Sequence, residues 1–190
     1  VSMHLKGMKN PPFQEILVHT GQHYDALLSD IFFEELKINP KYNLNVRSHT
    51  ASMQISLMLQ RLEPIIEKEK PNAVLVYGDT NSTLAAAVCS MHRNIPLIHV
   101  EAGERIYRRN NVPEEYNRVM TDHAAYLCLT CTKRARDYLL REGLCPERVK
   151  FVGDPMYDLF KWTMSNKKYL TKLNYKSIGL KKGAFNDRAC

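Results

Sequence analysis

Five short apolar runs limit the fold of this chain more than any other feature of its sequence. Each run is rich in Val, Ile and Leu and is flanked by turn or capping residues. The runs occupy residues 15–20, 73–77, 96–100, 126–130 and 149–152. Continuous apolar runs of this length are typical of strands that are buried on both faces, as in a parallel sheet. We therefore predict a core of buried parallel strands.

Helical patterns fill most of the stretches between these runs. Amphipathic periodicity is found at residues 25–36, 50–69, 82–91, 114–125 and 133–142. Thr80, Asn81 and Ser82 are suitable residues to open one helix, and Pro113 precedes another. Strands that alternate with helices predict an α/β fold with a Rossmann-like, doubly wound parallel sheet. Residues 1–9 resemble the back half of a crossover helix whose strand would come earlier in a complete fold.

The positive charge of the chain is concentrated in a basic tail, residues 161–190. The whole chain has 27 Lys and Arg residues against 20 Asp and Glu residues, a formal net charge of +7. The tail has seven Lys, one Arg and one Asp, which leaves 19 basic and 19 acidic residues in the rest of the chain. A nucleic-acid-binding surface needs a basic stripe on the folded domain. We therefore expect no nucleic-acid partner, and we interpret the tail as a solvated helix or a loose end.

Three features bear on the cellular location. No apolar run approaches the roughly 20 residues that span a bilayer, and no leader of charged, apolar and small residues opens the chain. The five cysteines are an odd number, and the first three lie in apolar patterns rather than in loops that disulfides would link. We therefore expect reduced thiols, no membrane partner and a cytoplasmic location.

Two features that could belong to a binding site, a cysteine pair and a histidine, are instead assigned to the core. Cys128 and Cys131 have the spacing of zinc ligands, but the sequence supplies neither a second cysteine pair nor a histidine pair. His99 interrupts an apolar run close to Glu101, where a polar contact in a cleft is the alternative to a hydrogen-bonded core histidine. We expect both features to be structural and predict no metal site.

Acidic residues follow two successive predicted strands. Gly78 and Asp79 come directly after one strand, and Glu101 ends the next. The carboxyl ends of parallel strands open into one crevice, so we expect the two acids to converge there. Gly78 permits a tight turn, the start of the following helix offers free amides to an anion, and Ala102 with Gly103 leaves room for a ligand. The alternatives are that Asp79 only caps that helix and that Glu101 only pairs with an arginine.

A third acidic signal lies at the start of a later helix. Glu114 and Glu115 follow Pro113, where acids also suit the positive end of the helix dipole. The same crevice is predicted to contain the arginines at positions 105, 108, 109 and 118. Guanidinium groups match phosphate oxygens or orient carboxylates. Several carboxylates around a sugar can supply a general acid, a general base and a negative field. The acids and the arginines together predict a site for an anionic sugar nucleotide.

At these motifs the chain resembles a known family. GDTNSTLAAA, HVEAGER, PEEYNR, TDH and VGDPMYD follow one another in the order found in bacterial non-hydrolysing UDP-N-acetylglucosamine 2-epimerases, and the upstream HTGQHYD is similar to the same family. The resemblance extends to about Asp158. It implies the first half of a GT-B-like two-domain enzyme, with the Rossmann-like domain at residues 1–160 and the second domain absent from this chain.

The resemblance also implies a reaction and its residues. The family interconverts UDP-N-acetylglucosamine and UDP-N-acetylmannosamine, precursors of surface polysaccharides, by elimination of UDP and re-addition on the other face, without a cofactor. It implies homodimers of full-length members. The implied catalytic residues are Asp79, Glu101 and Glu114. The implied substrate-binding residues are Gly78, Thr80, Arg105 and Arg118. Gln22 and His23 match a second, regulatory UDP-N-acetylglucosamine site found in some members, although they can equally form a strand-end turn.

Two departures from the family pattern affect the expected activity. The family's Gly-Thr-Arg-Pro loop would lie before Val1, and the second-domain motif with a histidine and an arginine does not follow Asp158. Because catalysis depends on positioning and on a closed cleft, we expect very low turnover from this chain alone. The alternatives are a 2-epimerase of a related UDP-sugar, such as a diacetamido-uronic acid, and a noncatalytic fragment that binds UDP-sugar.

Overall fold

The computed structural model describes residue 5 and residues 7–22, 39–47, 50–107 and 112–165. In these ranges the strands are β1 (Val18–His19), β2 (Tyr42–Asn43), β3 (Val74–Tyr77), β4 (Leu97–Val100), β5 (Leu127–Thr130) and β6 (Val149–Phe151). The helices are α1 (Ala51–Glu69), α2 (Asn81–His92), α3 (Pro113–Ala124), α4 (Lys133–Arg141) and α5 (Pro155–Ser165), with a short 3-10 helix at Pro146–Arg148.

Each of the five predicted strands is confirmed, with ends that differ by up to three residues. Four of the predicted helices are confirmed as α1 to α4, and the fifth, at residues 25–36, lies outside the described residues. The sequence did not predict β2 or α5. β2 consists of only two residues, one of them Asn43, and has no apolar run to mark it.

The chain divides into two compact units, Val1–Val152 and Gly153–Cys190. The described strands and helices α1 to α4 belong to the first unit. The described part of the second unit contains α5, which runs across position 160, where the sequence predicted the end of the domain. Most of the basic tail, residues 166–190, lies outside the described residues.

A four-stranded parallel sheet forms the centre of the first unit. Its strand order is β3-β4-β5-β6, and one row of register partners joins Val76, His99, Cys128 and Val149. β1 and β2 form a separate parallel pair. The predicted parallel arrangement is confirmed. It places the residues that follow β3 and β4 at the same edge of the sheet.

Helix α2 lies between two hydrophobic clusters. Ala87 belongs to the cluster around the larger sheet, and Ala85 and Cys89 belong to the cluster around α1. The small side chains of this alanine-rich helix allow close packing on both sides. Ser82, in the first turn of α2, forms a hydrogen bond with Thr20 at 2.7 Å between their hydroxyl oxygens. α2 therefore fixes the residues after β1 relative to those after β3.

The four described cysteines are free thiols. Burial raises the pKa of Cys128 to about 12 and the pKa of Cys89 to about 11. Cys128 is fully buried in β5, which confirms its assignment to the core. Within the described ranges no cluster of three or more His, Cys, Asp or Glu side chains could hold a metal ion. No helix in those ranges is both long and apolar enough to cross a membrane.

Candidate active site at the ends of strands β3 and β4

The turn after β3 places Asp79 at the carboxyl edge of the larger sheet. Gly78 has a φ of +63°, a left-handed conformation that glycine adopts without a steric penalty. The N–H of Gly78 donates to the carbonyl oxygen of Val100 at 3.0 Å. The carbonyl oxygen of Asp79 accepts a hydrogen bond from Asn117 Nδ2 at 2.9 Å. The predicted tight turn at Gly78 is confirmed, and α3 holds the backbone that follows it.

The Asp79 side chain is paired with an arginine of α3. Arg118 Nη2 donates to Asp79 Oδ2 at 2.5 Å, and the two side chains are 17% and 29% exposed. The N-cap residue of α2 is Thr80. The alternative in which Asp79 only caps α2 is therefore wrong, because the carboxylate makes its ion pair with a different helix.

Glu115 anchors Arg118 from the other side. Arg118 Nη1 donates to Glu115 Oε2 at 3.0 Å. The Glu115 side chain is 2% exposed and also accepts from the N–H groups of Ile106 and Tyr107 at 3.2 and 3.0 Å. Burial by itself would raise the pKa of Glu115, but these donors and Arg118 outweigh burial and hold the pKa below its usual 4.5. Glu115 thus ties the loop after Glu101 to α3.

We expect Glu115 to make the stability of the fold sensitive to acid. Because its pKa is lower in the folded protein, its contribution is fully present above pH 4.5 and is lost as the pH falls through the folded value. Replacing Glu115 with Gln should lower the free energy of unfolding by about 2 kcal/mol at neutral pH. It should also reduce the further loss of stability as the pH falls below 4.5. Urea unfolding at several pH values measures both effects.

Glu147, which is exposed in the 3-10 helix, provides the matched control. Replacing Glu147 with Gln should leave the pH dependence of the unfolding free energy close to that of the unchanged protein. If the Glu115 and Glu147 variants lose stability with acid in the same way, the assigned role of Glu115 is wrong.

Glu101 lies beside the Asp79 turn. It directly follows β4 and has a φ of +65°, a conformation that is uncommon for a residue with a side chain. Such backbone strain is concentrated at functional sites. A Cβ atom built on Gly78 would lie 3.5 Å from Glu101 Oε2, so the Glu101 carboxylate is close to the residue before Asp79. The structure therefore brings together the two strand-end turns, as the parallel sheet predicted.

The residues after Glu101 pack against the protein interior. Ala102 is fully buried. Gly103 has a φ of +82°, and a Cβ atom built there would lie 2.4 Å from the carbonyl oxygen of Ala135 in α4. The prediction that Ala102 and Gly103 leave room for a ligand is wrong, because helix α4 already occupies that room.

A cavity of about 280 Å³ opens beside Asp79. It is lined by Gln22, Ala51, Asp79, Thr80, Asn81, Pro113, Glu114 and Asn117. Two of the predicted acids, Asp79 and Glu114, are therefore at the same cavity, together with Thr80. Glu114 is exposed and Glu115 is buried, because consecutive residues of an α-helix point about 100° apart.

The first turn of α2 is capped by a residue from a distant part of the chain. The N-cap residue Thr80 makes no side-chain capping bond. Instead, Gln22 Oε1 accepts from the N–H and the hydroxyl group of Ser82 at 3.0 and 2.8 Å. One of the amides that were expected to receive an anion is therefore occupied. Gln22 lines the cavity, its regulatory role stays a prediction, and His23 lies outside the described residues.

Arg105 is turned into the protein. Its side chain is 1% exposed, and it donates to Asp122 at 2.7 Å and to Glu142 at 2.7 and 2.8 Å. Burial by itself would lower the pKa of Arg105, but the Glu142 and Asp122 carboxylates outweigh burial and raise it. The prediction that Arg105 contacts substrate does not fit this position, because its guanidinium is enclosed by protein carboxylates. The arginines at positions 108 and 109 lie outside the described residues.

Two polar residues near the site were not predicted to support it. Asn117 joins the Asp79 backbone to the side chain of Asn81, the latter at 3.1 Å. His99 is fully buried and hydrogen-bonded at both ring nitrogens, which confirms that it is a core histidine. For His99 the only signal in the sequence was a polar residue inside an apolar strand, and such a signal does not reveal the partners of that residue.

Comparison with known proteins identifies the family. A family model described as UDP-N-acetylglucosamine 2-epimerase matches residues 6–185. A Methanococcus maripaludis protein described as a UDP-N-acetylglucosamine 2-epimerase homolog is 47% identical over 167 residues, which are 87% of this chain and 45% of that protein. A Pseudomonas aeruginosa UDP-2,3-diacetamido-2,3-dideoxy-D-glucuronate 2-epimerase is 46% identical over 147 residues, which are 76% of this chain and 41% of that protein.

A solved structure shows the same fold. The crystal structure of Methanocaldococcus jannaschii UDP-GlcNAc 2-epimerase in complex with UDP-GlcNAc and UDP superimposes with a TM-score of 0.82 and 40% sequence identity, over 93% of this chain and 48% of that chain. This match confirms the predicted Rossmann-like fold and its likeness to the first half of a GT-B-like enzyme. The chain spans slightly less than half the length of each of these three proteins. The family model covers nearly all of the chain, and the chain therefore belongs to the UDP-N-acetylglucosamine 2-epimerase family.

Proposed function

We propose that this chain supplies the acidic half of the active site of an enzyme that interconverts UDP-N-acetylglucosamine (UDP-GlcNAc) and UDP-N-acetylmannosamine. The observation that carries the proposal is the convergence of Asp79 and Glu101 at the ends of adjacent parallel strands, with Glu114 at the cavity beside Asp79. Membership of the epimerase family and the UDP-GlcNAc in the related M. jannaschii structure support the same substrate class.

The chemistry of the reaction requires such a group of acids. The C2 proton of the sugar is not next to a carbonyl group, so the bond from C1 to UDP must break ahead of proton removal. Positive charge then develops at C1, and carboxylates placed around the ring stabilise it. A carboxylate must also remove the C2 proton, and an acid must return a proton to the opposite face. We assign these general acid, general base and cation-stabilising roles to Asp79, Glu101 and Glu114.

Arg118 is proposed to orient Asp79 for this reaction and to lie on the phosphate side of the sugar. Its two η nitrogens join Asp79 to the buried Glu115, so the Asp79 carboxylate has a defined direction. Gly78 has no side chain that would separate Asp79 from Glu101, and Thr80 lines the cavity where UDP would bind. We do not assign Arg105 a contact with substrate, because Asp122 and Glu142 enclose it.

The test is a hybrid enzyme in which this chain replaces the matching 48% of the M. jannaschii protein. We expect the hybrid to convert UDP-GlcNAc to UDP-N-acetylmannosamine and, in D₂O, to place deuterium at C2 of both sugars, as followed by NMR. A hybrid that unfolds cooperatively and binds UDP but leaves C2 unexchanged would contradict the proposal. This chain alone should show very low turnover, because positioning of the diphosphate needs the other half of the cleft.

A second measurement uses the chain alone and does not depend on the hybrid. UDP-GlcNAc titrated into the ¹⁵N-labelled chain is expected to shift the amide signals of Gly78, Asp79 and Thr80. Absence of any shift at these residues at millimolar ligand would count against a UDP-sugar site at this cavity. Shifts without activity in the hybrid would instead favour the noncatalytic UDP-sugar-binding alternative.

A second candidate function is 2-epimerisation of a UDP-diacetamido-uronic acid. It is favoured by the P. aeruginosa relative, which acts on such a sugar according to its name and is 46% identical to this chain, close to the 47% of the M. maripaludis relative. Both reactions would use the same acids, because both act at C2. This candidate can be tested in the same hybrid, or in a hybrid that joins this chain to the second half of the P. aeruginosa protein. Full turnover of the UDP-diacetamido-uronic acid with no turnover of UDP-GlcNAc would favour it.

The cellular setting rests on the same proposal. We propose that the complete enzyme is a cytoplasmic homodimer that supplies sugar nucleotides for surface polysaccharides, as the family resemblance implies. Sedimentation of the hybrid measures the homodimer part of this proposal directly.

A further inference from the structure

A chain of buried polar side chains lies directly beneath the two strand-end turns. His99 Nδ1 and Asp122 Oδ1 are 2.6 Å apart, and both side chains are 0% exposed. Asp122 Oδ2 accepts from Arg105 Nη1 at 2.7 Å, and Arg105 continues to Glu142. His123 Nε2 is 3.5 Å from Glu142 at the exposed end of this chain. Burying several polar and charged groups is costly unless each is hydrogen-bonded, so this network needs an explanation.

The network contacts the backbone of both turns that carry the predicted acids. His99 Nε2 donates to the carbonyl oxygen of Gly78 at 2.8 Å, since a carbonyl oxygen can only accept. Gly78 is the residue directly before Asp79. Asp122 Oδ2 accepts from the N–H of Gly103 at 3.1 Å, in the turn that begins at Glu101. The His99–Asp122 pair therefore joins the end of β3 to the end of β4 through side chains.

Other contacts also join these turns, since Arg118 and Glu115 connect Asp79 to the loop after Glu101. The N–H of Gly78 bonds to Val100 in the adjacent strand, which leaves the plane of the peptide between Gly78 and Asp79 to be fixed by what binds its oxygen. His99 and Asn117 hold the oxygens of Gly78 and Asp79 in turn. We therefore expect the loss of either contact to turn the Asp79 side chain relative to Glu101.

We propose that His99 is a positioning residue whose bond to the Gly78 carbonyl oxygen holds the Asp79 turn in the orientation in which Asp79 and Glu101 address C2 of the same bound sugar. Asp122 orients the His99 ring and accepts from the Gly103 N–H in the Glu101 turn. The inference rests on the proposed function for its catalytic consequence. Neither residue touches substrate in this account, because both are fully buried. Misplacement of a catalytic group by about 1 Å can cost about 10²-fold in rate, which is the size of effect that such a pair can control.

Two substitutions of His99 separate positioning from simple core packing. The amide nitrogen of Gln reaches approximately to the Nε2 position of a histidine, so His99→Gln can keep the bond to Gly78 and lose the one to Asp122. The amide nitrogen of Asn reaches approximately to the Nδ1 position, so His99→Asn can keep the bond to Asp122 and lose the one to Gly78. Both variants remove the ring from the same buried position, which makes each the control for the other.

In the hybrid enzyme we expect His99→Asn to lower kcat by about 10²-fold with KM changed by less than about threefold. His99→Gln should lower kcat by less than about tenfold, although both variants should reduce Tm by similar amounts. Equal loss of kcat in the two variants, in proportion to the loss of Tm, would overturn the positioning role and leave His99 as a packing residue.

A crystal structure of each variant of the 190-residue chain gives a readout that does not depend on activity. Displacement of the Gly78–Asp79 peptide in His99→Asn, but not in His99→Gln, is expected. An unmoved turn in His99→Asn would overturn the inference even if the hybrid is active. The turn can also be displaced in the His99→Asn crystal while the unchanged hybrid has no activity on any UDP-sugar. In that case the proposed function has failed and the structural coupling stands.

Discussion

Replacing Asp79 with asparagine is expected to lower the kcat of the hybrid enzyme for UDP-GlcNAc by about 10³-fold. Asparagine has nearly the same shape, but it has no negative charge for the developing cation and cannot carry the transferred proton. It also loses the ion pair with Arg118. Initial rates of UDP-N-acetylmannosamine formation and of deuterium exchange at C2 both measure the effect, and both should fall together.

Asp137 provides the matched control for this substitution. It is 46% exposed on α4 and pairs with the neighbouring Arg136, so Asp137→Asn makes the same chemical change away from the cavity. Its kcat should remain within about twofold, because exposed ion pairs contribute little. If Asp79→Asn keeps more than a tenth of the activity while remaining folded, Asp79 does not carry the proton, and the assignment of the catalytic acids must change.

Replacing Gly103 with alanine is expected to destabilise the first unit by about 3 kcal/mol or more, since backbone strain and overpacking add together. The residue has a φ of +82°, and the added Cβ would lie 2.4 Å from the carbonyl oxygen and 2.9 Å from the carbonyl carbon of Ala135. These are backbone atoms of α4, which cannot rotate away as the end of a flexible side chain can. Urea unfolding of the chain measures the loss.

Gly143 is the control that separates strain from overlap. Its φ is +91°, but a Cβ built there meets no heavy atom within 4 Å. Gly143→Ala should therefore cost only the left-handed backbone strain, about 1 to 2 kcal/mol. Equal losses for the two alanine variants would show that the contact with α4 adds nothing at Gly103.

The strands were predictable because each has a local pattern. β3, β4 and β5 are short apolar runs followed by turn residues, and their boundaries are within one residue of those predicted. Pro113 was also sufficient to mark the start of α3, because its fixed φ suits the first helical position. In contrast, β2 has no apolar run and exists through its pairing with β1.

The site was predictable only in part. Asp79 and Glu101 were placed together by one rule, that the carboxyl ends of parallel strands share an edge. The same reasoning could not place Arg105, which has the same charge as Arg118 but points to Asp122 and Glu142. It also could not show that Gln22, rather than Thr80, caps the start of α2.

The sequence by itself determined the α/β alternation, the tight turn at Gly78 and the edge of the sheet where the acids gather, because each depends on the periodicity and backbone preferences of neighbouring residues. Only the tertiary structure decided that Glu114 lines the cavity while Glu115 is an anchor, and that α4 packs against Gly103. These outcomes depend on contacts between side chains and backbone that lie far apart in the chain, such as Gln22 and Ser82, which are 60 residues apart. Local patterns carry no information on such contacts, since packing selects the partner of each buried polar group.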